Sequence, residues 1–205
     1  GNNINIEVPT ITTIVNTLFN FQLMHFAGED GVAAYGTLMY VNFIFVAIFL
    51  GYSIGSAPIV SYHYGARNSD ELKNLLTKSL KMIGVWGVAL FALAQLIASP
   101  LARIFVGYDP DLFDLTRHGF RIFCLAFLIN GFNIYGSSFF TALNNGLLSA
   151  LISFLRTLVF QIASVLLLPM IFGIDGIWGA VFVAEILTLC ITVICLVKKR
   201  KVYHY

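Results

Sequence analysis

Two residues of opposite charge interrupt long apolar runs of this chain, Arg156 and Glu185. A charged side chain in the middle of a bilayer is costly, so it normally has a partner or a function such as ion or substrate binding. Arg156 lies 17 residues before Gly173 and Glu185 lies 12 residues after it, which offsets them by about 7.5 Å along neighbouring helices. The pattern predicts a structural ion pair, an arginine that reaches the headgroups, or a charged site used in transport.

Uncharged polar residues recur at intervals of three or four in the same apolar runs, so they share helix faces. The four stripes are Asn130, Asn133, Ser137, Thr141 and Asn144; Thr13, Asn16 and Asn20; Ser149, Ser153 and Arg156, with Gln161 nearby; and Glu185, Thr188 and Thr192. A polar face in lipid must contact another helix or water, so each stripe predicts either interhelical hydrogen bonds or the wall of a polar cavity.

Seven uncharged side chains are our candidates for lining a substrate cavity. They are Asn16, Asn20, Asn42, Asn130, Asn133, Ser137 and Gln161. Arg156 and Glu185 are the charged candidates.

The composition indicates what surrounds these residues. Of the 205 residues, 59% are hydrophobic and 11% are charged, whereas soluble domains carry about 25% charged residues. The mean hydropathy is +0.86. The net charge of +2 and the two short basic clusters without aromatic interleaving do not favour nucleic-acid binding. We therefore expect a protein of the lipid bilayer and no nucleic-acid partner.

Six apolar runs are long enough to cross a bilayer as helices, and they do not alternate as barrel strands do. They cover residues 8–27, 32–62, 75–97, 120–143, 147–172 and 177–197, with the segment from Pro100 to Arg117 as one of the connections. The predicted fold is all-α, a polytopic bundle of six transmembrane helices in which residues 1–205 form a single unit.

Basic residues cluster at one predicted side of the bundle. They are Arg67, Lys73, Lys78, Lys81, Lys198, Lys199, Arg200 and Lys201. The other side is mainly acidic. The positive-inside rule places the basic side in the cytoplasm, so we expect a multi-pass protein of the cell membrane with both ends of this segment cytoplasmic.

Motifs of enzymes and metal sites are missing from the sequence. There is no HExxH, GxSxG or phosphate-binding loop. The three cysteines lie in apolar runs without a metal-binding spacing, and the four histidines do not cluster. We expect neither an enzyme nor a resident cofactor or metal.

Several blocks of sequence together resemble the multidrug and toxic compound extrusion (MATE) family of secondary transporters. They are AAYG at residues 33–36, SAPIVSYHYGA at 56–66, SSFFTALNNG at 137–146, and the spaced LP, FG, GIWGA and AE of residues 168–185. The resemblance covers nearly the whole chain. It implies one six-helix lobe of a two-lobe transporter, the second lobe in order. A missing N-terminal lobe, or a second copy of the chain, would then complete the cleft, and a half transporter would also account for a chain that begins at Gly1 rather than Met.

The resemblance also assigns single positions. The arginine of the family's eleventh helix corresponds to Arg156, and the acid of its closing AE motif corresponds to Glu185. Some members carry ion-coupling acids in the seventh and tenth helices. The corresponding regions here hold Asn16 with Asn20, and Asn130 with Asn133. The resemblance therefore implies that the coupling Na⁺ or H⁺ binds mainly in the missing lobe.

The function implied is export of cationic or amphipathic small molecules in exchange for Na⁺ or H⁺, by alternating access. Two alternatives remain open at this point. One is a lipid-linked oligosaccharide flippase of the same superfamily, which needs a more cationic cavity than Arg156 alone provides. The other is a membrane subunit that does not transport.

Overall fold

In this computed structural model the backbone is described for residues 4–205 and the side chains for residues 13–205, so the first three residues of the predicted unit 1–205 lie outside the described residues. Residues 4–205 form six helices and no strand. We number them α1 (4–27), α2 (29–65), α3 (Ser69–Val106), α4 (Pro110–Ala142), α5 (Gly146–Phe172) and α6 (Ile174–Tyr203). Each is apolar enough, alone or as part of a longer stretch, to cross a bilayer.

Helices α1 and α2 belong to one helical stretch, Ile4–Gly65, which reverses direction at Gly28 (φ 61°, ψ −150°). Asn16 and Tyr35 are 19 residues apart, and a straight helix would separate them by about 28 Å. Instead, the Tyr35 hydroxyl lies 3.4 Å from Asn16 Oδ1, and the Tyr35 ring stacks on Phe19 with centroids 5.3 Å apart. The two helices are therefore an antiparallel hairpin.

Replacing Gly28 by alanine is expected to lower the free energy of unfolding by about 1–3 kcal/mol, because its φ and ψ lie in a region that only glycine adopts without strain. No atom lies within 4 Å of the added Cβ, so the cost is in the backbone alone. Gly36→Ala is the matched control. Gly36 also has open space around its Cβ but has no positive φ, so alanine should be neutral or stabilising there. Unfolding of both variants in detergent micelles measures the difference.

The helices alternate in direction, which gives the bundle two ends. At the first end, Asn145 Nδ2 donates to the Tyr203 hydroxyl at 2.7 Å, and the Tyr64 and Tyr203 rings lie 5.7 Å apart. At the other, His118 Nε2 lies 2.8 Å from Asp175 Oδ1. We call these the basic end (residues 66–68, 143–145 and 198–205) and the acidic end (residues 28–30, 107–114 and 173–175).

Helix α4 is the centre of the bundle and contacts the α1–α2 hairpin and each of α3, α5 and α6. Its Phe127, Phe139 and Phe140 are fully buried. Glycines on the same helix let neighbours approach: a Cβ at Gly131 would lie 2.5 Å from the Phe49 ring, and one at Gly136 would lie 2.4 Å from Thr192 Cγ2. Small residues at helix contacts allow this close packing. In membranes such packing helps to hold helices together, because the hydrophobic effect does not drive their association in lipid.

Several helix ends differ from the sequence-based boundaries. Helix α3 begins at Ser69, where the Asn68 side chain accepts a hydrogen bond from the Glu71 amide, and it continues through Pro100 to Val106. Helix α4 begins at Pro110, capped by Asp109. The boundaries at 75, 97 and 120 were therefore wrong, because apolar windows detect only the lipid-embedded part of a helix and miss polar caps. Helix α6 likewise exceeds its predicted range 177–197 at both ends.

Candidate substrate cavities and the ion pair between them

Arg156 on α5 and Glu185 on α6 form an ion pair inside the bundle. Arg156 Nε and Nη2 each lie 2.8 Å from Glu185 Oε1. The Glu185 side chain is 1% exposed and that of Arg156 is 22% exposed. A carboxylate this deeply buried is stable only if charge and hydrogen bonds compensate it. The arginine supplies the charge, and its side chain spans the axial offset between the two helices.

Polar residues of α4 and α6 complete the hydrogen bonds of the pair. Arg156 Nη2 donates to Asn130 Oδ1 at 2.6 Å. Asn133 Nδ2 donates to Glu185 Oε2 at 2.7 Å and to the Glu185 carbonyl at 2.9 Å, and Thr192 Oγ1 donates to Asn133 Oδ1 at 3.0 Å. Both carboxylate oxygens are thus occupied. Such a connected network fixes the relative positions of α4, α5 and α6.

Arg156 stands at the start of a local change in helix geometry. Residues Leu155–Phe160 form a π-helical segment within α5. Its wider turn shifts the side chains that follow, such as Gln161, relative to those that precede it. Such segments are rare, and they occur frequently at functional sites.

An amide-lined cavity of about 260 Å³ lies on one side of the ion pair, between α1, α2, α4, α5 and α6. We call it the amide cavity. Its polar walls are Asn16, Asn42, Asn130, Gln161, Arg156 and Glu185. Aromatic rings of Phe19, Tyr35, Phe43 and Phe123 form much of the rest. Flat apolar rings beside a carboxylate and amide oxygens form a surface that suits a cation with an apolar body.

A second cavity of about 270 Å³, lined by α2, α4 and α5, lies on the other side of Arg156. We call it the hydroxyl cavity, after Ser53, Ser137, Ser138, Thr141 and Ser153 in its wall. Ser137 Oγ lies 2.9 Å from both Ser149 Oγ and Ser153 Oγ, and Thr141 Oγ1 donates to Ser149 Oγ at 2.7 Å. The Ser53 hydroxyl is different: it is buried and has no hydrogen-bond partner among the described residues.

The two cavities lie at different depths in the bundle. On α2, Asn42 in the amide cavity and Ser53 in the hydroxyl cavity are 11 residues, or about 16 Å, apart. On α5, Gln161 lies nearer the acidic end and Ser153 nearer the basic end. Among residues 13–205, only Arg156 lines both cavities. The two cavities therefore meet at the ion pair.

The structure sorts the nine candidate residues into three groups. Asn16, Asn42, Asn130, Gln161, Arg156 and Glu185 line the amide cavity. Asn133 and Ser137 line the hydroxyl cavity instead. Asn20 is half-buried on α1 and lines neither. Their role in transport stays a prediction.

Sequence reasoning missed Ser53 and Tyr35. Ser53 stands among glycines and large apolar residues, and only its three-residue spacing from Ser56 could have marked a polar face. Tyr35 belongs to the AAYG block but to none of the polar stripes, so helical spacing does not mark it. Within the described side chains, no group of three His, Cys, Asp or Glu residues is placed to hold a metal ion.

The geometry defines a class of protein first: a polytopic helical membrane protein with an ion pair and polar cavities near the middle of its bundle, where secondary transporters place their sites. Comparison with known proteins then gives the family. The model of the MatE family matches residues 9–167. The chain therefore belongs to the multidrug and toxic compound extrusion (MATE) family, as the resemblance in the sequence indicated.

One curated relative is the probable multidrug resistance protein YoeA of Bacillus subtilis (strain 168), which is 23% identical over 185 residues, 86% of this chain and 38% of the relative. A multidrug resistance MATE family transporter of the MOP superfamily, solved in an outward-facing conformation, superposes with a TM-score of 0.87 at 18% identity, over 95% of this chain and 44% of that one. The Vibrio cholerae MATE transporter VcmN in its bent form superposes with a TM-score of 0.84 at 17% identity, over 96% and 44%. The chain spans less than half the length of these proteins.

Proposed function

We propose that this chain forms one half of a secondary active exporter, which moves cationic or amphipathic compounds out of the cell in exchange for Na⁺ or H⁺. The observation that carries the proposal is the amide cavity, where Glu185 and four amide side chains share a wall with aromatic rings. Membership of the MATE family supports a transport role, and rocking of two repeats around a central site is the general mechanism of such folds.

The second half comes, in this proposal, from an N-terminal lobe of the same polypeptide or from a second copy of the chain. The lengths support it, since the chain spans 38% of the curated relative and 44% of the solved transporters. The bundle lies in the cell membrane with its basic end in the cytoplasm, in keeping with the positive-inside rule.

We place the main coupling site for Na⁺ or H⁺ in the other half. Amides occupy the positions where the family resemblance implies coupling acids, Asn16 with Asn20 and Asn130 with Asn133. The remaining intramembrane acid, Glu185, already accepts hydrogen bonds on both oxygens from Arg156 and Asn133. A coupling ion would have to compete with both of these partners.

A flippase of pyrophosphate-linked sugars is less well supported. Such a cargo needs cationic groups that are free to bind phosphate. Among the described residues that line the two cavities, the cationic side chain is that of Arg156. Glu185 Oε1 lies 2.8 Å from its Nη2 and neutralises its charge. The polar groups that remain are amides and hydroxyls.

Efflux of ethidium, a fluorescent organic cation, tests the proposed function. The chain as given and the longest natural reading frame that contains it are expressed in cells that lack their own exporters. We expect gradient-dependent efflux from the longer frame, or from the short chain if two copies build the cleft. Absence of efflux from both would contradict the proposal and favour the flippase or a subunit that does not transport.

A further inference from the structure

The acceptors that an incoming cation would use are occupied by the protein itself. Glu185 Oε1 and Asn130 Oδ1 belong to residues in the wall of the amide cavity. Arg156 donates to both, at 2.8 Å and 2.6 Å. A cationic ligand that only joined this arrangement would meet a neutral ion pair and the positive guanidinium. Recognition of the ligand's charge therefore requires Arg156 to leave.

The structure also offers a place for the guanidinium to go. Arg156 lines the hydroxyl cavity as well as the amide cavity, so its side chain already borders the space into which its head would move. The hydroxyl cavity contains oxygens that can accept N–H donors. One of them, Ser53 Oγ, belongs to a residue that is 2% exposed, and it has no hydrogen-bond partner among residues 13–205. Its oxygen therefore has lone pairs free to accept a hydrogen bond in another state.

We propose that Arg156 is a displaceable counter-ion. This inference rests on the proposed function. A ligand cation in the amide cavity takes over Glu185 Oε1 and Asn130 Oδ1, and the guanidinium of Arg156 moves into the hydroxyl cavity, where Ser53 accepts from it. No covalent bond changes, and the lobe keeps the same net charge apart from that of the ligand.

The displacement predicts which cations bind best. Arg156 donates to Glu185 Oε1 and Asn130 Oδ1 with several N–H groups of one planar guanidinium. A ligand that replaces it without loss must carry several N–H donors, as guanidinium and amidinium groups do. A quaternary ammonium has the charge but leaves both acceptors unpaired in a buried site, and unpaired buried acceptors reduce affinity strongly.

Two probes of similar size and equal charge separate these cases, phenylguanidinium and phenyltrimethylammonium. Binding to the purified full-length reading frame is measured by calorimetry, without a gradient or transport. We expect phenylguanidinium to bind about tenfold or more tightly, which is the effect of one charge-assisted hydrogen bond. The preference should shrink in Glu185→Gln, because the amide oxygen of glutamine accepts a hydrogen bond without the charge of the carboxylate. Equal binding of the two probes, or no binding of phenylguanidinium, would overturn the proposal.

The destination of Arg156 is tested with Ser53→Ala. No hydrogen bond of the Ser53 hydroxyl is lost in the resting state, so the thermal stability without ligand should not change. The affinity for phenylguanidinium should fall about threefold to tenfold, because the displaced guanidinium loses an acceptor. Ser56→Ala is the matched control. Ser56 lies on the same helix, donates to the Ser53 carbonyl at 3.2 Å and lines neither cavity.

Equal affinities of Ser53→Ala and Ser56→Ala would contradict the hydroxyl cavity as the place where Arg156 goes. The ethidium measurement is independent of these outcomes. Ethidium efflux by a protein that binds the two probes equally would leave the exporter in place and remove the displaceable counter-ion. Absence of efflux from a protein that prefers phenylguanidinium would support the displaceable counter-ion and contradict the exporter.

Discussion

Replacing Arg156 by methionine is expected to lower the free energy of unfolding by about 3–5 kcal/mol, the usual cost of leaving one buried charge without its partner. Methionine keeps much of the volume of arginine but removes every donor. Glu185, at 1% exposure, then loses its charge compensation on Oε1 and retains only Asn133. Denaturant or thermal unfolding of the protein in detergent micelles measures the loss.

The double variant Arg156→Met, Glu185→Met tests whether the loss comes from the unpaired charge of Glu185. Removing both charges should recover most of the lost stability, because apolar pairs of similar size often replace buried ion pairs at little cost. Arg117→Met is the exposed control. Arg117 pairs with Asp114 at 3.0 Å, but the two side chains are 39% and 68% exposed, so at most about 1 kcal/mol is expected. Equal effects of Arg156→Met and Arg117→Met would mean that the buried pair is not a structural requirement.

Replacing Gly176 by alanine should also destabilise the protein, by about 1–3 kcal/mol or more. The added Cβ would lie 2.5 Å from both the carbonyl carbon and the carbonyl oxygen of Leu168, and 2.7 Å from the Pro169 nitrogen. These are backbone atoms of α5 and cannot turn away, as the end of a flexible side chain could. The start of α6 would have to move from the end of α5, and unfolding in micelles would report the strain.

Gly179→Ala is the control for this substitution. Gly179 lies on the same helix, one turn further on, and the nearest atom to its added Cβ is Ile122 Cγ2 at 3.8 Å, an ordinary contact. Alanine favours helices over glycine by up to about 1 kcal/mol, so the control should be neutral or stabilising. A loss of stability in both variants would show that helix packing at Gly176 is not special. A loss at Gly176 alone would show that the close contact sets the distance between α5 and α6, and with it the position of Glu185 beside Arg156.

The sequence was sufficient to predict the bundle and much of its polar interior. Long apolar runs require helices in lipid, because no other single segment satisfies its own backbone there. Polar residues at helical spacing, such as Asn130 and Asn133, must then face other helices or water. The candidate list consequently includes the residues that the structure joins to Arg156 and Glu185.

Other features depend on three-dimensional packing that spacing does not encode. Asn130 and Asn133 belong to one stripe, yet they line different cavities: Asn130 accepts from Arg156 in the amide cavity, whereas Asn133 donates to Glu185 and lines the hydroxyl cavity. The π-helical segment Leu155–Phe160 adds one residue to a turn, and it contains no proline or glycine from which the sequence could predict it. Pro100 was expected to mark a connection but lies within α3, since neighbouring groups can satisfy the backbone that a proline disrupts in a membrane helix.

The spacing of the ion pair along the chain has a consequence for biosynthesis. Arg156 precedes Glu185 by 29 residues, and α5 ends at Phe172 with Gly173 before α6 begins. When α5 first reaches the translocon, its arginine has no counter-charge, and one arginine at the centre of a helix costs about 2.5–3.5 kcal/mol on the insertion scale. The partner arrives only when α6 has been synthesised. The last two helices therefore enter the bilayer most favourably as a pair, with the nascent hairpin carrying its own neutralising group.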